Sequence, residues 1–321
     1  MQRIYFSKAT IVFLLFLLFS GFCLAQNRDR NNLPEQRVRT VSIPISIFTK
    51  QELREKRAEE FVQADTITVT EDGDEQVILS IRSVSDTPLA LAILIQDDLS
   101  SSFNLQLPEI ARFIRSLPQG SRVMVAYLRG GSLQVQQKFT EDLDKAAKSL
   151  RIVVGSASVA PRNPYDGLSD ALKRFDALPN GRRAILLVSD GVDTSNGIGN
   201  FSTLSSLELD QAILKAQRKG VAVYSFYNSA SLTEGGNSNL IANGQNLLNK
   251  LSDETGGRAF YQGSISPISF EPFFKDLRLA LNRQFVLTYL STHFKKGYHK
   301  VRVTSTSPEI KIDHPKSYNY R

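Results

Sequence analysis

Four apolar runs between residues 89 and 227 constrain this chain more than any other feature: LALAILI, VMVAYL, AILLV and VAVYSFY. None alternates with polar residues, so each belongs to a strand buried on both faces, as in a parallel sheet covered by helices. The intervening segments carry helical stripes. Leu107, Ile110, Phe113, Ile114 and Leu117 form one stripe, and Leu168, Ala171, Leu172 and Phe175 a second. Leu209, Ala212, Ile213 and Ala216 form a third. The segment SLQVQQKF does alternate, as an edge strand does, and Gly130-Gly131 makes a hairpin turn before it. The expected fold is therefore α/β: a doubly wound, mostly parallel sheet with one antiparallel edge.

β-rich segments flank this block. TVSIPISIF reads as a weak strand and KQELREKRAEEF as a charged helix. ITVTEDGDEQVILSI reads as a hairpin turning at Asp72-Gly73. After the block, FEPFFKDLRLALNR places Phe270, Phe273, Phe274, Leu277 and Leu281 on one core-facing stripe. QFVLTYL, HKVRVTS and EIKIDH follow as strands that can pair with the lead-in hairpin. The expected organisation is a signal peptide over 1–25, a polar leader and β lead-in over 26–87, the α/β domain over 88–262, and a helix plus β tail over 263–321.

The first residues have the pattern of a secretory signal: Arg3 and Lys8, the apolar ATIVFLLFLLF, then CLAQ with cleavage after Ala25. The apolar stretch is short for a spanning helix, which takes about 20 residues, so membrane attachment is expected only if the segment stays uncleaved. Phe22 before Cys23 argues against lipidation. Cys23 is the single cysteine, so the cleaved chain has no thiol. That suits an exported compartment, periplasmic or secreted, and excludes disulfides, thiol catalysis and cysteine-bound zinc. The net charge of +7 includes Arg3 and Lys8. The remainder is weak and dispersed, apart from Arg28, Arg30, Arg37 and Arg39 in the leader, and does not indicate nucleic acid.

In open α/β sheets ligands bind beyond the carboxyl ends of the strands, where the strand order reverses. Two acidic loops fall there. DLSSS follows the first apolar run and supplies Asp98, Ser100 and Ser102. SDGVD follows AILLV and supplies Asp190. All are hard oxygen donors without imidazole or thiolate, which fits Mg²⁺, Mn²⁺ or Ca²⁺. The bland reading of Asp98, Ser100 and Ser102 is a helix cap with a polar first turn. Asp97 reads as a solvated neighbour or an acid that orients a ligand, and Asp193 as a loop acid.

On these residues the chain resembles the von Willebrand factor type A (VWA) family. That family's metal-ion-dependent adhesion site (MIDAS) uses D-x-S-x-S, a threonine on a middle loop, and an aspartate in a D-G loop. Asp98, Ser100 and Ser102 match the first motif and Asp190 the last. The resemblance covers roughly residues 88–262. The flanking β segments are similar to those of a bacterial secreted VWA-related family. Where the threonine is expected, NPYDGLSDAL has Asp166. Two readings stay open: Asp166 is a third carboxylate on the cation, or it sits at a helix start and meets its dipole.

The resemblance implies a non-enzymatic module that uses its cation to bind an acidic side chain of a protein partner, with no nucleic acid and no small-molecule substrate. Two alternatives stand beside it. One is a scaffold with a degenerate site. The other is a metal-dependent hydrolase, against which the only histidines, His293, His299 and His314, all lie in the tail and no G-x-S-x-G or phosphate loop appears.

Overall fold

The computed structural model describes residues 38–50, 66–84, 87–155, 163–179, 181–195 and 206–320. The signal segment and most of the charged helix expected at 50–61 lie outside them. The chain begins with β1 (Arg39–Thr49), β2 (Ile67–Glu71) and β3 (Asp74–Ser83). The α/β block runs β4 (Leu89–Gln96), α1 (Leu107–Arg115), β5 (Arg122–Arg129), β6 (Ser132–Thr140), α2 (Leu143–Lys148), α3 (Pro164–Lys173), β7 (Arg182–Ser189), α4 (Leu207–Lys219), β8 (Ala222–Tyr227), α5 (Ser238–Thr255) and β9 (Ala259–Phe260). Then come α6 (Glu271–Asn282), β10 (Gln284–Ser291), β11 (Gly297–Ser305), β12 (Ile310–Asp313) and β13 (Ser317–Tyr320). All these elements fall within one compact unit, Arg39–Arg321.

The α/β sheet has the order β6-β5-β4-β7-β8-β9, parallel throughout except for β6. From β4 the chain first builds outward to β5 and β6, then crosses to β7 on the other side. The order therefore reverses between β4 and β7. Along β4, Leu89, Leu91, Ile93 and Ile95 face α1, α2 and α6, while Ala90, Ala92 and Leu94 face α3, α4 and α5. Covering both faces explains why these strands carry no polar alternation.

The second sheet is antiparallel, in the order β12-β1-β10-β3-β2-β11-β13. The lead-in hairpin β2–β3 is held between two tail strands, β11 beside β2 and β10 beside β3. The supposed weak strand is the eleven-residue β1, paired on both sides by β10 and β12. Helix α6 packs Phe274 and Leu277 into the α/β core, and its Ala280 and Leu281 carbonyls accept from Ser46 and Arg182.

His314 lies buried where the tail returns. Its Nδ1 donates to the Pro315 carbonyl (2.8 Å) and its Nε2 accepts from Val303 N (3.2 Å), so both nitrogens are satisfied only by the neutral ring. Burial holds the imidazole down at about 4, against an ordinary 6.5. Between those values the unfolded chain binds a proton that the folded chain refuses. Stability is thus full above the unfolded value and falls as pH drops towards the folded one. From about pH 7 to about pH 4.5 this one group is expected to remove about 2 kcal/mol. Urea unfolding of the native chain and of His314→Gln across that range checks it: the variant loses this part of the slope, and identical slopes contradict the assignment.

Candidate functional site

The two acidic loops meet at the switch point through one side chain. Gln96, the buried last residue of β4, donates from Nε2 to Asp98 Oδ1 (2.8 Å). Its Oε1 accepts from Ser189 Oγ (2.5 Å) and from the Asp190 backbone N–H (3.1 Å). A single carboxamide therefore fixes the D-x-S-x-S loop against the D-G loop. A buried glutamine needs partners for both ends of its amide, and here each end takes one of the loops.

Asp190 is fully buried. Its Oδ1 accepts from Val192 N (3.1 Å), and its Oδ2 receives the Thr233 hydroxyl (3.4 Å) from the loop after β8. That loop also supports the first one. Ser100 N donates to the Ser229 carbonyl (2.9 Å), and Leu99 bridges to Ala230. The Ser100 and Ser102 hydroxyls lie 2.5 Å apart. Phe103, buried against Phe270, anchors the end of the loop. Asp98 is half-buried and Ser102 exposed, while Ser100 and Asp190 are buried.

Asp166 occupies the first turn of α3. The helix is capped by Asn163, whose Oδ1 accepts from Tyr165 N (2.9 Å) and whose Nδ2 donates to Asp166 Oδ2 (3.2 Å). Burial raises the Asp166 carboxyl, and the negative charges of Glu208, Asp193 and Asp170 raise it further. The neighbouring Tyr165 hydroxyl donates to the Gly191 carbonyl (2.7 Å), which ties this helix start to the D-G loop.

Asp97 is not a solvated neighbour. It is mostly buried and paired with Arg151 Nη1 at 2.7 Å. The Arg151 guanidinium lies 4.0 Å from the Tyr127 ring centroid, and the Tyr127 hydroxyl donates to the Arg151 carbonyl. An acid beside a buried aromatic and an arginine pairs instead of facing water, and here it holds the segment over 151–155 near the first loop. Asp193 accepts from Ser195 N and Oγ, an Asx turn within its own loop.

Gln96 and Thr233 were not singled out by motif reasoning. The available signal for Gln96 was a lone amide ending a fully buried apolar strand.

The two loops leave the first and fourth strands of a doubly wound sheet, on either side of the reversal, with an antiparallel edge at β6. No protein-family profile and no curated protein matches the chain. Among solved structures it is similar to an aerotolerance-related membrane protein from Bacteroides fragilis, at 13% identity and TM-score 0.43, over 60% of this chain and 98% of that one. It is also similar to the SpRpn10 VWA domain, at 15% identity and TM-score 0.38, over 60% and 94%. A von Willebrand factor type A protein from Catenulispora acidiphila matches at 10% identity and TM-score 0.39, over 82% and 76%. These superpositions are partial, and the fold is read from the strand order and the placement of the two loops.

Proposed function

We propose that this chain is an exported, non-enzymatic interaction module. In this reading Asp98, Ser100, Ser102 and Asp190 hold a divalent cation, Mg²⁺ or alternatively Mn²⁺ or Ca²⁺, which binds an acidic side chain of a protein partner. The observation that carries the reading is the Gln96 carboxamide, which bonds the Asp98 carboxylate on one side and the Asp190 backbone N–H on the other, beside the sheet's switch point. The chemistry follows from the donor set. Two carboxylates and two hydroxyls suit a hard cation, and Mg²⁺ keeps exchangeable water positions that a carboxylate oxygen can take. The exposed side of the group, at Asp98 and Ser102, leaves room for that exchange.

Asp166 stands outside the ligand set in this proposal: it lies in the first turn of α3, where the Asn163 cap amide bonds its Oδ2 and its negative charge meets the helix dipole. Catalysis is disfavoured because all three histidines lie in the antiparallel sheet and its connections, which leaves no imidazole base beside Ser100 or Ser102. Among the described residues no helix is long and apolar enough to cross a membrane.

Affinity capture from envelope extract tests the reading, with and without chelator, using the native chain and Asp98→Ala. The expected result is a partner lost in both the chelated sample and the variant. The same partner retained by Asp98→Ala under chelation contradicts the proposal.

A further inference from the structure

The antiparallel sheet holds a second group of metal-ligating side chains, far in sequence from the switch-point loops. The β2–β3 hairpin turns on Asp72 and Gly73, both at positive φ (51° and 101°), the geometry of a tight primed turn. This turn sets Asp72 against β11: its N–H donates to the Lys300 carbonyl (2.9 Å) and its Oδ1 accepts from Lys300 N (2.8 Å). Asp72 Oδ2 is then 2.8 Å from Nδ1 of buried His299. The other ring nitrogen, Nε2, lies 2.7 Å from the Lys295 carbonyl. A carbonyl only accepts, so Nε2 carries the ring proton, and in the neutral imidazole Nδ1 is a bare lone pair. That lone pair faces two carboxylates, Asp72 Oδ2 and, at 3.3 Å, Glu71 Oε1. Three electron-rich atoms converge there, with the Arg39 guanidinium already on Glu71 Oε1, and either a proton or a metal ion has to sit on Nδ1.

His293 completes the group. Its ring centroid is 5.9 Å from that of His299, and one ligand atom each from Asp72, His293 and His299 lie within 4.8 Å of one another. A second observation points the same way. The His293 Nε2 is shielded from solvent and makes no hydrogen bond, with Asp74 Oδ2 3.3 Å away. A buried ring nitrogen left without a hydrogen bond marks a place where something else binds.

We propose that Asp72, His293 and His299 form a binding site for a Zn²⁺-class transition-metal ion. Two imidazoles and a carboxylate are borderline donors that select zinc and its neighbours, unlike the all-oxygen group at Asp98 and Asp190. The bond from His299 Nε2–H to a backbone carbonyl is the contact that orients a metal-binding histidine and fixes its tautomer. Three protein ligands leave a fourth position for water. Asp72 and Lys300 also line a cleft of about 1380 Å³, which gives an ion a route from solvent. The ligands come from the β2–β3 turn, the β10–β11 connection and β11. The ion therefore joins the lead-in hairpin to the tail, a cross-link in a chain whose only cysteine is Cys23.

The test uses the untagged full chain, stripped with chelator and titrated with Zn²⁺ by calorimetry and with Co²⁺ by visible absorption. The native chain and Asp98→Ala are each expected to bind one equivalent, with Co²⁺ giving the visible bands of a nitrogen- and oxygen-ligated ion and Zn²⁺ raising the unfolding temperature. His293→Ala and Asp72→Asn are expected to bind about 100-fold more weakly while keeping the native circular dichroism spectrum. No saturable zinc binding by the native chain overturns the proposal, as does undiminished binding by both variants. Because Asp98→Ala is one arm, failure of the cation site at the switch point and failure of this one are read separately.

Discussion

Gly244→Ala is expected to lower the stability of the chain by about 3 kcal/mol, the upper end of the cost of overpacking. A Cβ at Gly244 would stand 2.0 Å from the Asp190 carbonyl oxygen, and one at Gly191 would stand 2.3 Å from the Gly244 carbonyl. The clashing atoms are backbone on both sides, so no side chain can swing away. Gly191 also has φ +72°, which favours glycine independently. Helix α5 therefore has to carry a glycine where the D-G loop crosses it, and alanine there pushes the loop that holds Asp190. A denaturant midpoint shifted at unchanged m-value is the expected readout. Gly235→Ala, where a Cβ meets nothing within 4 Å, serves as the neutral control. A Gly244→Ala midpoint equal to that of the control contradicts the close approach.

Phe226→Ala is expected to cost about 3–5 kcal/mol. Phe226 is fully buried on β8, and the rings of Phe260, Phe270, Phe273 and Phe274 lie 5.4, 5.1, 5.3 and 5.2 Å from its own. Three of these four rings belong to the start of α6, the helix whose far end meets both sheets. Removing the central ring leaves a cavity that the four surrounding rings, three of them fixed on one helix start, cannot close. Phe226→Leu keeps most of the volume and is expected to lose only about 1.5 kcal/mol. Equal losses in the two variants by urea unfolding contradict the role of the ring cluster.

The parts of the fold legible in the sequence were those with a strong local period. The parallel strands showed as unbroken apolar runs because both faces are covered, and the Asp72-Gly73 and Gly130-Gly131 turns showed because tight turns demand those residues. Helix α5 was missed although Leu240, Ile241, Leu247, Leu248 and Leu251 share its buried face. Its asparagines and Gly244 depress helix propensity, and the need for that glycine is tertiary. The four-residue β13 was missed because it is short and pairs only at its sheet edge, with β11. At the switch point Asp98, Ser100, Ser102 and Asp190 stand in short motifs after recognisable strands. Gln96 and Thr233 do not, since their roles arise from loops distant in the chain. The group of Asp72 with His299 joins residues 227 positions apart, and no spacing rule reaches that far. The ion pair of Asp97 with Arg151 was hidden for the same reason.

The central claim is that Asp98, Ser100 and Ser102 with Asp190 hold a divalent cation. It is tested most directly by titrating Mn²⁺ into chelator-stripped chain and following the free-ion signal by electron paramagnetic resonance, with His293→Ala in every sample to silence the imidazole site. One Mn²⁺ is expected to bind and to be displaced by Mg²⁺ or Ca²⁺. Asp98→Ala and Asp190→Ala are expected to weaken it at least about tenfold, because each removes a charged oxygen ligand, while Asp166→Asn leaves it nearly unchanged. Binding that survives both Asp98→Ala and Asp190→Ala, or no Mn²⁺ bound at all, contradicts the account.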